Sequence, residues 1–398
     1  MNLVKKNASL LGLISFLSEF RLYAAIAVLY FTEITGSMTL GMGVFSVTML
    51  SSALLELPTG ILSDVVGRKK TIVLGTMASL ISIILYSSVR NIFWLMAGAV
   101  FEGLSIALFS GNNEAFLYDH LKSAGREEEY KTFLGRISSM AHIALSVSTL
   151  AGSLMLLFGT YTLVFALSII PRALSLVAAL LLDEPKAIGG DRISPWRHLM
   201  ESLNEVRKSR RLLRLLAADS ISEGAGEAAY QFRAAFIQMV WPVWAIGIVG
   251  TVGDVGAAFS FWISGKWIKR KGYKRVILLG KLYSLVSNTA AFLMKNVFSP
   301  ILLTSNSLFY GVMSVTQNDM SQKLFTDRHR ASMGSIKSFT ASLTYALLAV
   351  VIGWIADGFG VVTALVSFQA FGVLSLMIYM SLFKEDEKRS YETEKGGV

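Results

Sequence analysis

Three carboxylates, Asp219, Glu223 and Glu227, recur at i, i+4 and i+8 in the run LLAADSISEGAGEAAYQF. In a helix that spacing stacks them on one face, and like charges held so close cannot all ionise at low cost. Such a stripe can exchange protons or hold the positive group of a solute. Gly224 and Gly226 leave the same helix thin and deformable. The plainer alternative is that Asp219 faces water and Glu227 pairs with Arg233 or Arg21. Glu19 and Arg21 stand near the centre of another apolar run, 9–31, and Glu102 and Asp254 near the middle of two more, Asp254 among Gly250, Gly253 and Gly256. Arg172, after Pro171, is either an anion ligand for a solute or the counter-ion of Glu19 or Glu102. Glu114, Asp119, Asp319 and Lys337 lie near the ends of apolar runs and read as gate contacts.

The elements that must position these groups are membrane-spanning helices. Hydrophobic residues make up 53% of the 398 and charged residues 16%, a balance too apolar for an ordinary soluble protein. Twelve apolar windows, most of about 20 residues or more, are long enough to cross a hydrocarbon core of about 30 Å as helix. Of the 37 Lys and Arg, 29 fall on the side of the termini, two (Arg90 and Lys295) on the other, and six (Arg21, Arg136, Arg172, Arg233, Lys281, Lys337) inside spans. This asymmetry places both termini in the cytoplasm of a plasma (inner) membrane. There is no cysteine, and the four histidines show no metal-ligand spacing, so neither a metal nor a cofactor is expected. The net charge of +10 is explained by loop placement and membrane lipids without nucleic acid.

Between spans two and three stands GILSDVVGRKKTIVLG, residues 60–75. Its Gly60, Leu62, Asp64, Gly67, Arg68 and Lys69 resemble motif A of the major facilitator superfamily, and the chain is similar to the drug/proton-antiporter-like twelve-span type. The resemblance implies an all-α membrane protein of two pseudo-symmetric six-helix halves. It also implies a gating role for Gly60, Asp64, Gly67, Arg68 and Lys69, with Asp64 against the start of span eleven near Ser332 to Ile336, where the positive end of a helix favours a carboxylate. Gly60 is expected to permit a close helix approach.

A shift of 205 residues places Gly60, Gly67 and Gly75 on Gly265, Gly272 and Gly280, and nearly the same shift places Glu19 on Glu223 and Glu114 on Asp319. The chain is a duplicated pair of halves, 1–182 and 212–383, with the solute site expected near the midplane. The connector 183–211 has Ser194–Pro195 as a helix start and helically spaced apolar residues, so an amphipathic surface helix is expected. The tail 384–398 is expected to be disordered. The arginine that motif B would supply falls on Ala99, and the antiporter signature of span five is represented by Gly152 alone.

No phosphate-cradling loop and no nucleophile, base and oxyanion set occurs, so neither a primary pump nor an enzyme is expected. The reading is a secondary transporter, monomeric, working by alternating access. Its candidate solute or coupling-ion ligands are Glu19, Arg21, Glu102, Arg172, Asp219, Glu223, Glu227 and Asp254. An excess of mid-depth carboxylates favours cationic or zwitterionic amphiphiles and proton coupling, with the direction, export or import, left open. A nutrient permease and a non-transporting receptor or scaffold are the alternatives; costly intramembrane acids argue against the scaffold.

Overall fold

The computed structural model describes residues 3–88, 91–184, 206–324 and 330–396, with side chains at 4–88, 91–184, 206–322 and 333–385. Among the described residues helix follows helix and no strand occurs. Side-chain caps start several of these helices as their sequences dictate. Ser37 accepts from the Leu40 N–H, Asn91 from Phe93, Thr160 from Leu163 and Ser209 from Leu212.

Nine helices among the described residues are long and apolar enough to cross a membrane. The three expected spans missing from that set are one, seven and ten. Span one is two pieces, Leu3–Glu19 and Ala27–Thr35, and span ten is Ser299–Thr304 followed by Ser307–Leu324. Span seven is a continuous helix, Arg210–Ile237, whose apolar character the acid stripe dilutes. With these three the described residues accommodate the twelve expected spans, and the three exceptions are ones that carry interruptions or charge.

The chain forms two compact units, residues Met1–Asp191 with Trp241–Thr251, and Arg192–Val240 with Val252–Val398. The short piece of span eight joins the first unit because Gly247 lies against span five; a Cβ there would come within 2.6 Å of the Thr149 carbonyl oxygen. In the first unit Tyr30 stacks on Phe165 at 4.0 Å between ring centroids and donates to the Tyr86 carbonyl. The second unit buries Val206, Leu212 and Leu216 with Met333 and Ile336. The expected connector helix lies, except at its end, outside the described residues. The last helix runs from Val361 to Gly396, where an unstructured tail was expected beyond Lys384; Arg214 reaches Glu385 at 3.0 Å, and Glu and Lys at helical spacing favour continuation.

The duplication is visible in the backbone. Gly67 has φ 101 and ψ 155, and Gly272 has φ 75 and ψ 156, a region that glycine enters without a Cβ penalty. The next pair serves packing: a Cβ on Gly75 would meet Phe109 at 2.7 Å, and one on Gly280 would overlap Met313. A Cβ on Gly60 would meet nothing within 4 Å among the described residues.

Candidate functional site

In the first unit the helix of span one stops at Glu19 although FRLYAAI, residues 20–26, contains neither Gly nor Pro. Short turns close the backbone there: the Arg21 N–H donates to the Glu19 carbonyl at 2.8 Å, Ala24 to Arg21 at 3.1 Å and Ile26 to Tyr23 at 3.0 Å. Such closure is needed because an open amide within a membrane is costly. Leu22, Tyr23 and Ile26 are buried, and Gly152 of span five lies directly against the Leu22 carbonyl, which a Cβ would overlap. Gly152 therefore makes room for the interrupted backbone.

That interruption turns Arg21 toward span four and Tyr23 toward span six. Arg21 binds Glu19 at 2.8 Å and lies 4.0 Å from Glu102 Oε1. Arg172 donates to the same Glu102 oxygen and to the Tyr23 hydroxyl, both at 3.3 Å. Of the alternatives open to Arg172, the structure shows pairing with Glu102. Two acids and two arginines balance, and both Arg172 and Glu102 are buried. Glu102 Oε2 and Arg21 Nε are buried without a hydrogen-bond partner.

The second unit carries a different cluster. Lys337 of span eleven bridges Asp219 at 3.2 Å and Glu223 at 2.9 Å. Asp219 is fully buried and also accepts from Ser321 at 2.9 Å and from the Tyr379 hydroxyl. Gln317 donates to that tyrosine at 2.9 Å. Lys281 of span nine donates to Ser222 at 2.7 Å and Ser375 at 3.1 Å, and lies over the Tyr379 ring. Glu223 is 43% exposed at its side chain and, with Lys337, lines a cavity of about 480 Å³.

The acid stripe is thus divided. Asp219 does not face water, as the plainer alternative had it, but anchors Lys337. Glu223 opens on the cavity. Glu227 accepts from Gln231 at 2.8 Å and shares the electrostatic surroundings of Arg233 with Tyr230 and Asp254; the Arg233 guanidinium lies 4.7 Å over the Tyr230 ring. Lys337, read from sequence as a gate contact, is the centre of the cluster. Lys281 had a signal in the sequence, a lone cation inside an apolar run. Tyr379 and Ser321 had none.

The motif at residues 60–69 forms a network within the first unit. Arg68 binds Asp64 at 3.0 Å and Asp119 at 3.7 Å, and donates to Ser63. Ser63 meets Asn112 at 2.5 Å, and Asn112 returns a bond to the Arg68 carbonyl. Glu184 accepts from the Lys69 N–H at 3.3 Å and packs where a Cβ on Gly67 would point, placing a carboxylate at a helix N-terminus. Its neighbour Asp183 binds Lys6 at 2.8 Å, which holds its carboxyl below the usual range.

Residues 8–305 and 241–397 match the family profile of the Major Facilitator Superfamily. The chain belongs to that superfamily. Solved members share its fold across nearly the whole chain. A nucleoside transporter, NupG, in a mutant form, superposes with a TM-score of 0.81 at 14% identity, covering 96% of this chain and 100% of that one. A bacterial homolog of the human lysosomal transporter Spinster, inward-facing and unoccupied, gives 0.77 at 15% identity over 96% and 97%. A POT family transporter in complex with 5-aminolevulinic acid gives 0.74 at 14% over 96% of each. In sequence, an uncharacterized transporter of Buchnera aphidicola subsp. Acyrthosiphon pisum (strain APS) is 36% identical over 107 residues, 27% of this chain and 24% of that protein. The match thus spans about a quarter of that relative's length.

Proposed function

We propose that this superfamily member is a proton-coupled secondary transporter that exports a small organic solute by alternating access. Glu223 carries the reading. It is the exposed carboxylate on the cavity wall, and its partner Lys337 keeps a second acid, Asp219, when Glu223 lets go. Glu223 can therefore accept either a proton or the positive group of a solute without stranding a buried charge. Competition for one carboxylate couples the two as exchange, which drives export under an inward proton gradient. Balanced charge in both clusters, and a cavity wall bearing Ser314, Asn318 and Ser338, favour a polar solute over an amphiphile. A scaffold has no use for intramembrane acids kept at such expense.

The test uses proteoliposomes supplied with a small-molecule cell extract under an imposed pH gradient. At least one solute should redistribute against its own gradient with the wild-type protein. In Glu223→Gln the same solute should no longer move against its gradient, since the carboxylate for which proton and solute compete is gone. No proton-dependent redistribution, or undiminished redistribution in the variant, sinks the reading.

The Lys/Arg asymmetry also supports a plasma-membrane orientation with both termini in the cytoplasm. Because the chain has no cysteine, single cysteines at Ala124 and at the exposed Phe158 report it directly. An impermeant thiol reagent on intact cells should label Phe158→Cys and spare Ala124→Cys; the opposite pattern would invert the topology.

A further inference from the structure

We infer that the solute taken at Glu223 is a zwitterion, a small molecule with a carboxylate beside an ammonium, and that Lys337 reads its carboxylate. The inference rests on the exchange reading above and adds the second half of the ligand. Lys337 Nζ lies 2.9 Å from Glu223 Oε1, and both residues line the same cavity. Asp219, fully buried and fixed by Ser321 and Tyr379, holds Lys337 from behind. The ammonium of Lys337 is thereby presented at the cavity wall, with Glu223 as its exchangeable partner.

Charge balance selects among ligand classes. Asp219 and Glu223 both bind Lys337, and Lys281 lies over the ring of Tyr379, whose hydroxyl donates to Asp219, so the cluster carries two acids and two bases. A simple cation on Glu223 adds one uncompensated positive charge to a partly desolvated site, and a simple anion on Lys337 adds one negative charge. Each such excess is disfavoured where the dielectric is low. A zwitterion inserted between the two side chains replaces their mutual contact with two charge-assisted contacts and leaves the net charge unchanged. The adjacent amine and carboxylate of an α-amino acid match an acid and a base already in contact. The cavity, about 480 Å³, falls within the usual range for small-molecule sites, about 300–1,000 Å³, and Asn318 and Ser338 supply neutral polar contacts on its wall.

The experiment is a thermal-shift screen of the purified full-length protein with the standard α-amino acids, their methyl esters as cations, their N-acetyl derivatives as anions, and tetraphenylphosphonium. A ligand of the folded state must raise apparent stability by mass action. At least one free amino acid should do so while its blocked forms do not. Lys337→Met and Glu223→Gln should each weaken that ligand by roughly tenfold to a hundredfold, the scale of one lost charge-assisted contact. Titration calorimetry on the same variants reads the affinity independently of their melting temperatures. Stabilisation by the esters or tetraphenylphosphonium alone, by the N-acetyl forms alone, or by none of the probes overturns the zwitterion. The proton-driven redistribution in proteoliposomes is a separate readout, so a failed zwitterion does not decide the transport reading.

Discussion

Asp219→Ala is expected to destabilise the purified transporter by about 3–5 kcal/mol, the scale for removing one partner of a buried ion pair, whereas Glu223→Gln one helical turn away should change stability little. The two carboxylates touch the same lysine, at 3.2 and 2.9 Å, so distance does not separate them. Burial does. Asp219 is fully buried and is the shared acceptor for Lys337, Ser321 and Tyr379. Its loss leaves a part-buried ammonium with one acid instead of two and takes the acceptor from both hydroxyls. Glu223 is 43% exposed, so water can replace it and Lys337 keeps Asp219. Apparent melting temperatures in detergent, with size-exclusion profiles, measure the contrast. Equal losses in the two variants would mean that Asp219 does not anchor the cluster.

Arg172→Met should be comparably damaging in the first unit, again by about 3–5 kcal/mol, and should be relieved by a second change. Glu102 has Arg172 at 3.3 Å and Arg21 only at 4.0 Å. Without Arg172 its buried carboxylate keeps one weak partner, while Oε2 already has none. Arg172→Met with Glu102→Gln removes both charges and should recover most of the lost stability, because a matched apolar or neutral replacement of a buried pair is often close to neutral. Non-additivity in this double-mutant cycle is the measurement. A double variant no more stable than Arg172→Met alone would show that Arg172 is held by packing and that its charge matters little.

The reach of the sequence is clearest where charge meets apolar context. The helical class, the span positions and the repeat were legible because membrane helices must be long and apolar and because glycines at fixed spacing mark backbone that no other residue adopts easily. Gly67 and Gly272 take nearly the same positive-φ conformation, 205 positions apart. Glu19, Glu102, Arg172, Asp219 and Glu223 were legible as candidates because intramembrane charge needs a reason. Their partners were not. Lys337 reads as a gate contact from its position in the span, and only packing places it between Asp219 and Glu223. Tyr379 and Ser321 resemble the many tyrosines and serines of any span.

The interruption of span one shows the limit most plainly. FRLYAAI contains no helix breaker, and local propensity favours continuing the helix. The turn persists because Gly152, distant in sequence, admits the Leu22 carbonyl, Tyr23 stacks on Phe165 at 4.7 Å, and Arg21 and Glu19 close on each other. The sequence by itself determined the membrane class, the duplicated halves and which charged groups needed explaining, since those follow from composition, period and glycine spacing. The tertiary structure alone decided where span one breaks and which carboxylate is buried or open, because those depend on contacts between residues far apart in the chain.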